Sequence, residues 1–363
     1  MDQQPPTSTP EIPRAPLTSN VKDVALVFEG GGMRGSYTAG GRPPHPSSVA
    51  GRLLQVDQQH PSSAPEAPRA PLTSNVTDVA LVFEGGGMRG SYTAGVVTTL
   101  LGAGIHIDYV CGISAGASHT AHYLSRDMWR ARRSFVEFSQ EPDFGNLSTF
   151  ARGHGLLNSQ FIYEDAAGPG GPLPFDYQTY LANPASFRIG TFNASKGTMH
   201  YVGREAIRSE LDLMRLARAS SSMPLVMPPV ERDGDLYYDG AIGPSGGIPL
   251  DAAQVDGYTK FLIVLSQERG FTKAAERFSA VIRRRFRDLP AVVEALEARA
   301  ENYNRMREQV FDLEASGDAM VFVPDHMPVS NGERRLPRLQ ASYAAGYLQA
   351  QRELPSWRDF LGV

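Results

Sequence analysis

The chain has 363 residues, 41% of them hydrophobic and 20% charged, with a formal net charge of −4. That length suits one large domain or two of about 150 residues. The near-neutral charge excludes a nucleic-acid binder held by bulk electrostatics, and a single cysteine, Cys111, excludes an internal disulfide framework or a four-cysteine zinc site.

No apolar run exceeds five residues, against the roughly 20 that a membrane span needs. The opening MDQQPPTSTPEIPRAP has neither a basic start nor an apolar stretch, so no leader is expected and a cytoplasmic location is. Residues 2–40 recur at 57–95 with 34 of 39 pairs identical, and both copies contain DVALVFEGGGMRGSYTAG. The first copy runs into Pro- and Ser-rich sequence, the second into the periodic segment 96–101. The working element is therefore assigned to the second copy. Residues 1–75 are expected to be a duplicated segment, disordered or without function.

In chain order, the apolar run 79–84 predicts a buried strand, 91–103 a helix, 108–112 a second strand and 115–124 a second helix. The Gly- and Pro-rich stretch 141–176 reads as a long loop or lid. Residues 187–193 and 199–202 read as a strand pair closed by Gly203. Residues 204–219 read as a helix with Ile207, Leu211, Met214 and Ala217 on one face. Short strands are expected at 236–238, 260–266 and 319–323. Helices are expected at 273–287, 290–314 (with Pro290 in the first turn) and 336–351. Strands alternating with helices predict an α/β fold: a mostly parallel central sheet flanked by helices on both faces. Cys111, Trp129 and Trp357 are expected to pack in the core, and Arg126, Arg130, Arg132 and Arg133 to form a solvated helix end.

Two glycine motifs carry chemistry. The block 85–90, GGGMRG, lies between a strand and a helix and formally satisfies G-x-G-x-x-G. A dinucleotide fingerprint also needs an acid at the end of the second strand, whereas Asp108 stands at its start. The other reading is an oxyanion hole, with backbone N–H groups converging at a helix N-terminus. The block 112–116, GISAG, is G-x-S-x-G between a strand and a helix, which marks Ser114 as a nucleophile flanked by Gly112 and Gly116. The N–H of Ala115 can then donate to an oxyanion. A serine needs a base. No Asp/Glu-then-His pairing stands out around His326, the histidine in triad order, whereas Asp239 ends a short strand in LYYDGA and could face Ser114 directly.

These residues together resemble the patatin-like phospholipases, lipid acyl hydrolases with a Ser–Asp dyad. Four blocks match in order: GGGMRG at 85–90, GISAG at 112–116, ASSSMP at 219–224 running on to Pro228 and Pro229, and DGA at 239–241. The resemblance spans about 76–267, expected to be the catalytic domain. Residues 268–363 look like the helical extension of bacterial members, packed on that domain. The resemblance implies that Ser114 is the nucleophile and Asp239 the base. It also implies that the N–H groups of Gly86 and Gly87, with Arg89 nearby, hold the oxyanion. His119 departs from the small or amide residue expected after the elbow.

The implied substrate is a lipid or fatty-acyl ester, with no metal or other cofactor. A general carboxylesterase or thioesterase with the same dyad, and a nucleotide-binding or non-catalytic module, are the alternatives. Residues 269–287 carry a net charge of +6 and residues 288–318 carry −5. Arg283, Arg284 and Arg285 could therefore touch an anionic membrane, or pair with the acidic stretch that follows.

Overall fold

A computed structural model describes residues 70–275 and 280–363. The first copy of the repeat, including its Gly-rich block, lies outside the described residues.

The strands are β1 (Ala80–Phe83), β2 (Tyr109–Gly112), β3 (Ser186–Asn193), β4 (Thr198–Val202), β5 (Val230–Arg232), β6 (Asp235–Asp239), β7 (Phe261–Val264) and β8 (Ala319–Phe322). They form one sheet in the order β5-β6-β3-β2-β1-β7-β8, with β4 also paired to β3. The β3-β2-β1-β7-β8 core is parallel, while β4, β5 and β6 join antiparallel. The expected mostly parallel sheet is present, with an antiparallel edge.

Successive side chains of a strand point to opposite faces, and the core divides accordingly. Leu81 and Phe83 pack with Tyr92, Val96 and Leu100 of α1 (Gly90–Gly102), Ala117 and Ala121 of α2 (Ala115–Leu124), and Trp357. Ala80 and Val82 pack instead with Tyr303, Met306 and Val310 of a long helix, Pro290–Ser316. Helices thus cover both faces, which is why β1 is apolar throughout. Cys111 is fully buried in this core, as expected.

Four expectations change. The helix predicted at 204–219 begins only at Glu210, because Ser209 caps it through the N–H of Asp212. Its buried face then runs through Leu213, Met214, Leu216 and Ala217, leaving Leu211 48% exposed. Of the helix predicted at 273–287, residues 276–279 lie outside the described ones, 271–275 have no regular structure, and only Ala280–Arg285 is helical. The last helix, Leu336–Leu361, runs ten residues further than predicted and contains Pro355. The stretch 141–176 is not a bare loop: it contains the helix Leu147–Ala151 and a π-helical turn, Phe161–Asp165.

Candidate active site

β2 ends at Gly112, and the chain turns sharply through Ser114 into α2. Ser114 adopts φ 58° and ψ −120°, a left-handed conformation that a residue with a side chain holds only when its surroundings enforce it. Two contacts enforce it. A Cβ on Gly116 would collide with the carbonyl oxygen of Phe83, so glycine lets α2 sit against β1. The Ser114 N–H donates to Ser220 Oγ at 2.9 Å, and the Ser220 hydroxyl donates to the Gly190 carbonyl at 2.6 Å. Ser220 belongs to α3, the helix Glu210–Ser221, and its positioning role was not read from the sequence. Ser220→Ala would strand a buried donor and a buried acceptor together. The expected result is a loss of about 1–3 kcal/mol in urea unfolding. An unchanged midpoint would show that Ser220 does not brace the turn.

Asp239 reaches Ser114 through sheet register. Gly112 of β2 is level with Ile189 of β3, and Thr191, two residues further along, is level with Asp239 of β6. Ser114 lies two residues beyond Gly112, so β6, arriving antiparallel, delivers its last residue beside the elbow. The Ser114 side chain lies near the Asp239 carboxylate and favours its ionised form, and Asp239 Oδ1 accepts the N–H of Ala241 at 2.8 Å. It is 1% exposed. Burial pushes its pKa up to about 6, opposed by the Ala241 N–H, the nearby Ser114 hydroxyl and the positive charge of Arg299.

The Gly-rich turn lies at the same end of the sheet, since Phe83 of β1 is level with Gly112. Gly87 has φ +55°, and a side chain there would collide with the backbone of Asn331. The Met88 N–H is taken by the Asn331 carbonyl at 2.9 Å. Among the described residues, the N–H groups of Gly86, Gly87 and Ala115 have no protein acceptor. Arg89, expected on the same rim, instead lines a separate hollow with Glu268, Phe271 and Asn331. Its near neighbours in charge are Glu84, Tyr303 and Arg299. Asp108 precedes β2 and so lies at the opposite end of the sheet from the glycines, where it cannot complete a dinucleotide site.

Ser114 opens into a cavity of about 110 Å³, walled by Phe135, Phe138, Leu157, Ile162 and Met214 among others. Part of the wall comes from the expected lid stretch 141–176. One face of α2 lines it through Ala115, Ser118, Ala121 and His122. His119, the departure from the family pattern, is not in that wall. It is fully buried, with Nε2 2.8 Å from Thr93 Oγ1. Arg130, expected at a solvated helix end, is 4% exposed and lines the cavity. A charged run such as MWRARR looks solvated until tertiary packing closes over one member of it. His326 is 80% exposed, pairs with Glu268 at 3.0 Å and does not line the cavity. Arg283 pairs with Glu297 at 2.6 Å and Arg269 with Glu314 at 2.6 Å, so part of the basic run is matched by the acidic helix that follows it.

Among the described residues, no helix is long and apolar enough to cross a membrane. They also contain no cluster of His, Cys, Asp or Glu fit to hold a metal ion.

Residues 81–253 match the family described as patatin-like phospholipase, and residues 289–362 match a domain of unknown function, DUF6363. The uncharacterized protein YjjU of Escherichia coli (strain K12) is 29% identical over 190 residues, covering 52% of this chain and 51% of that protein. The chain thus spans about half the length of the curated relative it matches. The crystal structure of VipD from Legionella pneumophila aligns with a TM-score of 0.41 at 11% identity, covering 84% of this chain and 73% of that one. With all four sequence blocks inside the matched region, residues 81–253 are a patatin-like phospholipase domain, followed by a DUF6363 region.

Proposed function

We propose that this protein is a serine acyl hydrolase that cleaves fatty-acyl esters through Ser114 and Asp239. One observation carries the reading: a serine hydroxyl near a buried carboxylate, beside three unoccupied backbone donors, opening into a largely apolar cavity.

Asp239 accepts the Ser114 proton as Oγ attacks the ester carbonyl carbon. The carbonyl π electrons move to oxygen, and the N–H groups of Gly86, Gly87 and Ala115 stabilise that oxyanion. Each such donor is worth about 3–4 kcal/mol in the transition state. On collapse, the C–O bond to the alcohol breaks and Asp239 returns the proton to the leaving oxygen. Water, deprotonated by Asp239, then attacks the acyl-enzyme, and Ser114 Oγ leaves with that proton as the fatty acid is released. A pKa near 6 suits both halves of this cycle, because the carboxylate is ionised at neutral pH yet basic enough to take a proton. Burial of Ser114 to 8% exposure keeps bulk water from the oxyanion.

The test is covalent capture. A fluorophosphonate probe should form one adduct, on Ser114, and the unlabelled protein should release fatty acid from a mixed panel of phospholipids and neutral lipids. Release from water-soluble short esters or thioesters alone would replace the lipid assignment with a general esterase. No adduct together with no hydrolysis would reject enzymatic activity and leave a non-catalytic module.

A further inference from the structure

The cavity leading from Ser114 is apolar along most of its wall but includes a cation. Ser114 and His122 stand at the two ends of the α2 face that lines it. Eight residues of helix separate them, about 12 Å at 1.5 Å per residue. At the far end, Arg130 of the short helix Met128–Arg133 is folded inward. Its Nε donates to the carbonyls of Leu173 at 3.3 Å and Pro174 at 3.2 Å. Nη1 lies 2.9 Å from His122 Nε2 and Nη2 lies 3.9 Å from Met214 Sδ, while the guanidinium stacks over Phe175 at 5.2 Å.

A guanidinium has five N–H groups. These contacts occupy three, so one hydrogen on Nη1 and one on Nη2 have no protein acceptor among the described residues. Arg130 forms no ion pair there either. Asp127, the largest opposing charge, spends Oδ1 on the Arg130 backbone N–H at 2.8 Å, and Glu210 acts only at longer range. His122 braces the guanidinium. Nη1 can only donate, so His122 Nε2 accepts and Nδ1 holds the imidazole proton. That Nδ1 is buried with no partner. A nearly buried cation with two free N–H groups thus lines a hydrophobic slot, held in place by His122 Nε2. Such an arrangement is unfavourable until an anion fills it.

We propose that this cavity selects acyl chains ending in a carboxylate, with the free N–H groups of Arg130 receiving the terminal group while the ester carbonyl sits at Ser114. The inference rests on the esterase reading above and names its substrate class. With C–C bonds of about 1.5 Å at near-tetrahedral angles, an extended chain spans the 12 Å in roughly nine or ten carbons. The substrate class is therefore monoesters of medium-chain dicarboxylic acids, or acyl lipids whose chains have been shortened by oxidation to a terminal acid. A phospholipid phosphate does not fit the role, because it hangs on the alcohol side of the scissile ester. A plain methyl end would cover the guanidinium without pairing it.

The experiment compares kcat/KM for the p-nitrophenyl ester of decanoic acid with that for the mono-p-nitrophenyl ester of decanedioic acid. The wild-type protein should favour the second by tenfold or more, with the preference falling for six- and fourteen-carbon pairs. Arg130→Met should abolish or invert the ratio, and Arg130→Lys should retain part of it. If Arg130→Met does not fold, competition on the wild-type protein decides. Free decanedioate should inhibit p-nitrophenyl butyrate turnover at least tenfold more strongly than decanoate. A wild-type ratio at or below one, or equal inhibition by the two acids, overturns the proposal. Turnover of p-nitrophenyl butyrate with no terminal-acid preference would sink this inference alone, whereas no turnover of any ester and no fluorophosphonate adduct would sink the esterase reading.

Discussion

Ser114→Ala is expected to lower kcat for a chromogenic fatty ester by about 10⁴–10⁶-fold, the scale seen when a covalent nucleophile is deleted. The fold should be untouched. The backbone bonds that brace the elbow, Ser114 N–H to Ser220 Oγ and Gly116 N–H to the Ile113 carbonyl, do not involve the Ser114 hydroxyl. Alanine has the same Cβ and meets the same left-handed φ, so the local strain is unchanged. The hydroxyl contributes one thing to the resting protein, a polar neighbour that favours ionised Asp239. Its removal should raise the Asp239 pKa further and alter the melting temperature little. Turnover above one percent of wild type in a folded Ser114→Ala protein would show that another group attacks the ester.

Asp239→Asn should cost activity and add stability. The amide still accepts the Ala241 N–H but cannot take the Ser114 proton, and kcat should fall by about 10³–10⁴-fold. The stability change follows from the direction of the pKa shift. Burial raises the folded-state pKa to about 6, above about 4 for an exposed aspartate. The folded protein therefore holds this proton more tightly than the unfolded chain does. The resulting stabilisation is fully present below about pH 4 and is lost as pH rises through 6, amounting to about 3 kcal/mol in all. Asparagine is never ionised, so Asp239→Asn should be the more stable protein at pH 8 and should lose that advantage toward pH 4. Wild-type kcat/KM should fall tenfold per pH unit below about 6 as the base is protonated. Equal urea midpoints at pH 8, joined with a flat pH–rate profile between 5 and 7, would remove Asp239 from the role of base.

Stability lost for function in this way is common where catalysis needs a buried charge. The same holds at Arg130, where a cation sits in the wall of an apolar cavity with donors to spare. Both positions bury an ionisable group, and Arg130 faces the space that Ser114 opens into.

Much of the site could be read from local sequence. An apolar run followed by glycines predicts a buried strand and a tight turn, because only residues without a side chain allow the backbone to pass so close. That logic located β1 with its Gly-rich turn and β2 with its elbow to within a residue. Apolar alternation also located the β3–β4 pair. Asp239 was singled out by its place at a strand end and by the family resemblance, not by any local property that separates it from an ordinary Asp-Gly turn.

Other features depend on contacts between residues far apart in the chain. Pro355 reads as a stop, yet the last helix continues to Leu361, since Trp357 is completely buried and Leu361 packs in the same core. Arg130 reads as solvated, yet residues 173–175 close over it. By itself the sequence determined the elements that are encoded within a few residues: the strand, the turn, the helix and the serine between them. The tertiary structure alone decided which carboxylate lies near that serine, which amides remain free and which arginine turns inward. Register across β2, β3 and β6, and the packing of α2 against β1, set those distances, and neither quantity exists until the sheet is assembled.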